Sequence, residues 1–236
     1  MIYGALLAGG VGSRMNLGSM PKQFLPLGSK PVFMHTLEKF CLSSRFDALY
    51  LGVHKDWVEF SIDTIEKAPL TDIPIRVVCG GGDRNSTIMA IIRAIEGDNG
   101  VGEDDYIVTH DAVRPFVKLS TIEANIDSVV KNGACDTVVP ATDTIVRSKD
   151  GESVHSIPAR DEMYQGQTPQ SFRIRTFVEH YEALSAEERT TLTDACKVLM
   201  MRGERVALVL GDVTNIKLTT VMDYKVAQAL VESGLA

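Results

Sequence analysis

The chain has 236 residues, 44% hydrophobic and 23% charged, the make-up of an ordinary globular protein with enough apolar residues for a sizeable core. A net charge of −7 argues against a nucleic-acid partner, which requires a basic face, and it makes any local cluster of cations a notable exception. Four scattered cysteines without a C-x-x-C pair, no secretory leader and no run near 18 apolar residues predict a cytoplasmic chain with neither a zinc signature nor a membrane span.

Residues 2–7 (I-Y-G-A-L-L) predict a short buried strand. The turn Ala8-Gly9-Gly10-Val11-Gly12-Ser13-Arg14 follows at once, and then Met20-Pro21-Lys22-Gln23. Lys30-Pro31-Val32 opens a helix, with Pro31 suited to its first turn and Val32, Phe33, Leu37 and Phe40 on one face. Next come a strand over 48–53 and a helix over 56–67, capped by Asp56 with Trp57, Phe60 and Ile65 inward. A strand over 75–79 leads through a glycine-rich turn to a helix over 87–96. A strand over 104–109 runs into His110-Asp111-Ala112-Val113-Arg114-Pro115, and a helix over 120–131 starts from Ser120, with Glu123 completing a capping box. Strands alternating with helices predict an α/β fold, a mostly parallel, Rossmann-like sheet sandwiched by helices.

The pattern changes after a strand over 136–139. Residues 144–146 and 153–155 predict a β-hairpin over Asp150-Gly151, and 161–170 is polar, Gln-rich and without periodicity. A polar hairpin with no apolar face reads as an inserted arm near 140–170, a lid or a dimer arm on a single domain spanning 1–236. Helices over 174–184, 193–201 and 222–232, a strand over 205–210 and an edge segment over 215–217 complete the chain. Three of the cysteines lie in apolar or helical surroundings and read as buried thiols, consistent with a reducing compartment.

In parallel sheets ligands bind outside the carboxyl ends of the strands, so the loops after three strands, 8–14, 80–87 and 110–115, share one edge. The first is a glycine turn that leaves backbone N–H groups bare for an anion, with Arg14 and Lys22 as cationic clamps. It lacks the spacing of both the dinucleotide fingerprint and the P-loop. The alternative is a tight turn with two solvated charges. The second loop, Gly80 to Thr87, leads into a helix N-terminus that favours an anion; Asp83 and the hydroxyls there either read a base or ribose or merely cap the helix. A carboxylate beside two phosphate-type loops needs a divalent cation, so Asp111 is assigned as a Mg2+ ligand, the alternative being a structural turn residue. His110 reads as a packed strand-end histidine and Arg114 as a brace for the turn. No nucleophile elbow, zinc motif or Cys/His dyad is present, which fits phosphoryl-type transfer by positioning and charge stabilisation. Arg160, Thr168 and Lys217 hold a second anionic substrate or are ordinary surface residues.

The motifs L-L-A-G-G-V-G-S-R-M (6–15), P-K-Q-F-L (21–25), G-G-D-R-N-S (81–86), H-D-A-V-R-P (110–115), Q-T-P-Q (167–170), T-D-A (193–195) and N-I-K (215–217), in this order over essentially the whole chain, resemble the polyol-phosphate cytidylyltransferases. These include the methylerythritol-phosphate enzymes of isoprenoid synthesis and the ribitol-5-phosphate enzymes of teichoic-acid synthesis. The resemblance implies a nucleotidyltransferase-type fold with CTP as co-substrate. It implies that Leu7, Ala8, Gly9, Gly10, Gly81, Gly82, Asp83, Arg84, Asn85, Ser86, Thr87 and Ala112 hold the nucleotide. Arg14 and Lys22 would stabilise the phosphorus under attack, and Asp111 would bind Mg2+. Arg160 and Lys217 would position the polyol phosphate, with Thr144, Thr168 and Thr193 near it. It also implies a homodimer that exchanges the arm, so that Arg160 serves the neighbouring site, and a separate reductase as a pathway partner. Related enzymes often carry a second metal carboxylate near the lysine motif, where this chain has Thr214-Asn215. The stretches D-E-M-Y-Q-G-Q-T-P-Q, T-L-T-D-A-C-K and H-D-A-V-R-P-F look more like the ribitol-phosphate branch, with methylerythritol phosphate as the alternative. An NAD-dependent oxidoreductase is disfavoured by the missing third glycine and the lack of an acidic strand-end residue near position 30; a non-catalytic nucleotide-binding partner is the remaining class.

Overall fold

The computed structural model describes residues 1–10, 20–68, 70 and 72–234. Its elements are β1 (Ile2–Ala8), β2 (Pro26–Leu27), β3 (Lys30–Pro31), α1 (Val32–Cys41), β4 (Ala48–Val53), α2 (Val58–Glu66), β5 (Ile75–Cys79), α3 (Arg84–Asn99), β6 (Tyr106–Asp111), α4 (Leu119–Asn132), β7 (Ala134–Pro140), β8 (Tyr164–Arg173), α5 (Ile174–Glu182), α6 (Ala186–Thr190), α7 (Ala195–Met200), β9 (Ala207–Leu210) and α8 (Val221–Glu232). Seven strands form one sheet in the order β5-β4-β1-β6-β8-β7-β9, and β2 pairs with β3 apart from it. All neighbours in the large sheet run parallel except β8, which is antiparallel to both β6 and β7.

Both faces of the sheet are covered, which is why β1 reads as an unbroken apolar run. Tyr3, Ala5 and Leu7 face the core under α3, α5 and α7, with Ile88, Ile91, Ile95 and the stacked pair Phe172–Phe177. Leu6 and Ala8 face the other core, with Phe33, Leu37 and Phe40 of α1 and Ile122 and Ile126 of α4. Full burial of each such side chain contributes ~1.5–3 kcal/mol. Because β7 and β9 run parallel to β6, their carboxyl ends lie at the same sheet edge as those of β1, β4 and β5. The segment after β9, with Lys217, and the chain entering β8 therefore join the glycine loops there.

Several expected elements shift. Most of the 161–170 stretch is not part of an arm: 164–173 is β8, buried from Gln167 to Phe172, and Thr168–Pro169 is a cis peptide. The projecting segment is thus 141–163. It holds a single bridge, Arg147 to Ser156, rather than a regular hairpin, and its turn is closed by Asp150, which accepts from the N–H groups of Glu152 and Ser153. The helix expected from Asp56 begins with a 3-10 turn over Lys55–Trp57, and His54 accepts from the Asp56 N–H. Phe60 stays partly exposed, packing edge-on to Trp57 and Phe24. At α4 the N-cap is Lys118 without a side-chain bond, because Glu123 is drawn to Ser43 and Arg45. The helix expected from Thr87 starts at Arg84, and α6 was not expected at all. Residues 215–217 form no strand. Of the four free cysteines, only Cys135 and Cys196 are buried; Cys41 is half-buried and Cys79 exposed. No helix among the described residues is long and apolar enough to cross a membrane.

Candidate active site

The loops gathered at the sheet edge enclose an open cleft of about 200 Å3. Leu7, Ala8, Gly9, Gly10, Lys22, Gly81, Gly82, Asp83, Arg84, Thr87, Asp111 and Lys217 line it, together with Gln23 and Val113. They come from the carboxyl ends of strands β1 and β6, and from the segments and helix that follow strands. Asp83 is the N-cap of α3: it accepts from the Ser86 N–H at 2.9 Å, while the Ser86 hydroxyl accepts from the Asp83 N–H at 2.9 Å. The cap reading of Asp83 is realised, and the residue still borders the cleft. A Cβ on Gly81 would lie 2.8 Å from the backbone carbon of Ser86, so the tight approach of loop to helix requires glycine there.

The centre of the cleft is Asp111, at the end of β6. Its carboxylate faces Lys217 Nζ at 3.0 Å and receives Arg84 Nε and Arg114 Nε at 3.4 Å each. Burial alone would push this carboxyl up; the charges of Arg84, Lys217 and Arg114 outweigh it and hold the group well below the usual carboxylate range. Both terminal nitrogens of Arg84 are buried without a hydrogen-bond partner among the described residues. Orphaned donors on a cation beside glycine loops fit an anionic ligand.

A second tier holds this centre. Thr168 Oγ1 accepts from the Asp111 N–H at 3.2 Å and pairs with His110 Nδ1 at 2.9 Å. His110 Nε2 meets the Arg114 carbonyl at 3.3 Å, so the tautomer protonated on Nε2 satisfies both contacts. Burial pushes the His110 imidazole down to about 3, which keeps it neutral. Arg114 Nη1 donates to the Asn215 carbonyl at 2.7 Å, the bracing role expected of it. Gln23 donates from Nε2 to the carbonyls of Ala8 at 2.6 Å and Gly10 at 2.7 Å. Sequence reasoning overlooked Gln23; its only signal was a polar residue followed by the apolar pair Phe24-Leu25.

Not every expected residue reaches the cleft. Thr168 is buried behind Asp111 rather than open to substrate. Ala112 is fully buried, its N–H bonded to the Leu7 carbonyl and its carbonyl to Thr36. Ser86 is occupied by the cap, and Asn85 is buried with an unpartnered Oδ1. Arg160 and Thr144 bond each other at 3.1 Å on the exposed arm, and Thr193 is an exposed residue before α7; none of the three lines the cleft. Arg14 lies outside the described residues.

The donor set bears on a metal. Among the described residues no group of three His, Cys, Asp or Glu side chains gathers to hold an ion. One ionised carboxylate fits a Mg2+ that takes its other oxygens from a triphosphate and water, not an all-protein cage.

The comparisons agree with this architecture. The profile of the 2-C-methyl-D-erythritol 4-phosphate cytidylyltransferase (IspD) family matches residues 2–233. A 4-diphosphocytidyl-2C-methyl-D-erythritol synthase of Anaerococcus prevotii is 27% identical, with a TM-score of 0.82 over 98% of this chain and 96% of that one. The 2-C-methyl-D-erythritol 4-phosphate cytidylyltransferase of Francisella tularensis is 24% identical (TM-score 0.78, 97% and 98% covered), and that of Thermus thermophilus 23% (0.73, 98% and 100%); these two share the fold. The chain belongs to the IspD family and is a cytidylyltransferase.

Proposed function

We propose that the enzyme transfers the cytidylyl group of CTP to the phosphate of 2-C-methyl-D-erythritol 4-phosphate, releasing pyrophosphate. The observation that carries the transfer chemistry is the ring of Arg84, Arg114 and Lys217 around the buried Asp111, opposite the two glycine loops. The family profile and the solved structures favour this polyol over the ribitol 5-phosphate expected from the sequence stretches. Ribitol 5-phosphate is kept as a second reading. What favours it is the likeness of 161–170 to that branch, because this stretch runs into β8 beside Asp111.

In this reading the Leu7–Gly10 turn and the 81–87 loop hold CTP. An oxygen of the polyol phosphate attacks the α-phosphorus, a new P–O bond forms, and the P–O bond to the pyrophosphate breaks. Lys22, with Arg14, stabilises the charge that builds on the phosphorus. Lys217 grips the incoming phosphate. Asp111 would hold Mg2+, which would neutralise triphosphate charge. Arg160 and Thr144, on an arm that leaves its own cleft, serve the neighbouring subunit of a homodimer. Pyrophosphate release from CTP, measured side by side with the two polyol phosphates, tests the reading. Faster turnover of methylerythritol phosphate is expected; faster turnover of ribitol 5-phosphate selects the second reading, and release with neither overturns both.

A further inference from the structure

Lys217 sits in a stretch, 211–220, that is neither helix nor strand. Its ammonium rides on a flexible four-carbon stem, so its reach is set by where the backbone is held. No ladder of backbone bonds holds it, and a side chain does that work. Asn215 is 1% exposed and two residues upstream. Its Nδ2 donates to the Thr168 carbonyl at 2.8 Å and to Gln167 Oε1 at 3.2 Å, both on β8. Its own carbonyl accepts from Arg114 Nη1 at 2.7 Å. The side-chain amide thus ties the loop to β8, while the backbone carbonyl of the same residue holds the guanidinium that also faces Asp111. On the far side of Lys217 the Leu218 N–H donates to the Val113 carbonyl at 2.9 Å, so the lysine hangs between two anchors.

We infer that Asn215 is a positioning residue that sets Lys217 against Asp111 for its grip on the polyol phosphate. The inference rests on the role proposed above for Lys217. Only a side chain with two donors satisfies the two buried acceptors on β8; aspartate would face them with lone pairs.

A double-mutant cycle on the full-length enzyme tests it. In the parent, Asn215→Ala lowers kcat/KM for the polyol phosphate by ~10-fold or more while the KM for CTP moves less than ~3-fold. In the Lys217→Ala background the same substitution changes kcat/KM by less than ~3-fold, because the group it acts through is gone. A cooperative thermal melt certifies each variant, and Asn215→Ser, which keeps one donor, takes over if the alanine variant does not fold. Equal losses in both backgrounds, or a CTP KM that rises in step, mean a merely structural residue and overturn the inference while leaving the Lys217 reading intact. If Lys217→Ala itself leaves the polyol-phosphate KM unchanged, the reading of Lys217 falls, and the inference with it.

Discussion

Replacing Gln23 by methionine keeps the side chain's length and burial but removes both amide donors. The Ala8 carbonyl, buried at the end of β1, then loses its 2.6 Å partner, which costs about 1–3 kcal/mol for an unsatisfied buried acceptor. The Gly10 carbonyl also loses its bond, but Gly10 is exposed and water replaces the amide, so about 0.5 kcal/mol is added there. The total of about 1.5–3.5 kcal/mol lowers the melting temperature by roughly 3–14 °C in a domain of this size. The functional consequence is sharper. Ala8 and Gly10 lie in the turn proposed to hold the nucleotide, so freeing both carbonyls loosens that turn. A loss of about 1.4 kcal/mol in CTP binding, tenfold in Kd, is expected by titration calorimetry. A Gln23→Met variant that melts within a degree of the parent and binds CTP equally would show that the clamp holds nothing. One that melts early but binds CTP normally would confine its role to the fold.

Two further perturbations follow from the same geometry. Burial pushes the Asp136 carboxyl up to about 6, against the bond from Gln170 Nε2, with Asp194 adding to the rise and Arg84 opposing it. A carboxyl raised above its ordinary value is neutral to stability below that value, costs progressively more as pH rises toward 6, and costs in full above it. Asp136→Asn, which still accepts from Gln170, should therefore stabilise by on the order of 1–3 kcal/mol at pH 8 and negligibly near pH 3; denaturant titrations giving the same shift at both values would refute this. Thr168→Val removes the hydroxyl that accepts from the Asp111 N–H and pairs with His110, so kcat should fall and stability drop by about 1–3 kcal/mol, with Thr168→Ser restoring both; turnover and melting measured together check it.

The strands with apolar runs were legible in the residues, and so was the edge where the loops meet, because the strand-end rule needs only element order. β8 was not legible, for a physical reason. Apart from Pro169 and Phe172, its buried residues are polar and bond to partners distant in sequence. Thr168 bonds Asp111 and His110, Gln170 bonds Asp136, and Ser171 bonds Asn125, while the Pro169 carbonyl accepts from Thr137. A proline inside a strand also argues against a central position, yet here it lies opposite the irregular register between Asp136 and Val138, where the ladder is already interrupted. Periodicity registers burial by apolar contact and is blind to burial by hydrogen bonds. The same limit governs the site. Asp111 and the glycine loops declare themselves by chemistry and position, but Thr168 was expected to face the substrate and instead holds Asp111 from behind. Gln23 and Asn215 stand within P-K-Q-F-L and N-I-K but carry no charge, and nothing in those stretches says which carbonyls they reach. In this enzyme the charged residues and glycines of the cleft are readable one by one, whereas the polar residues behind them show themselves only as pairs, several of them brought together by the antiparallel strand.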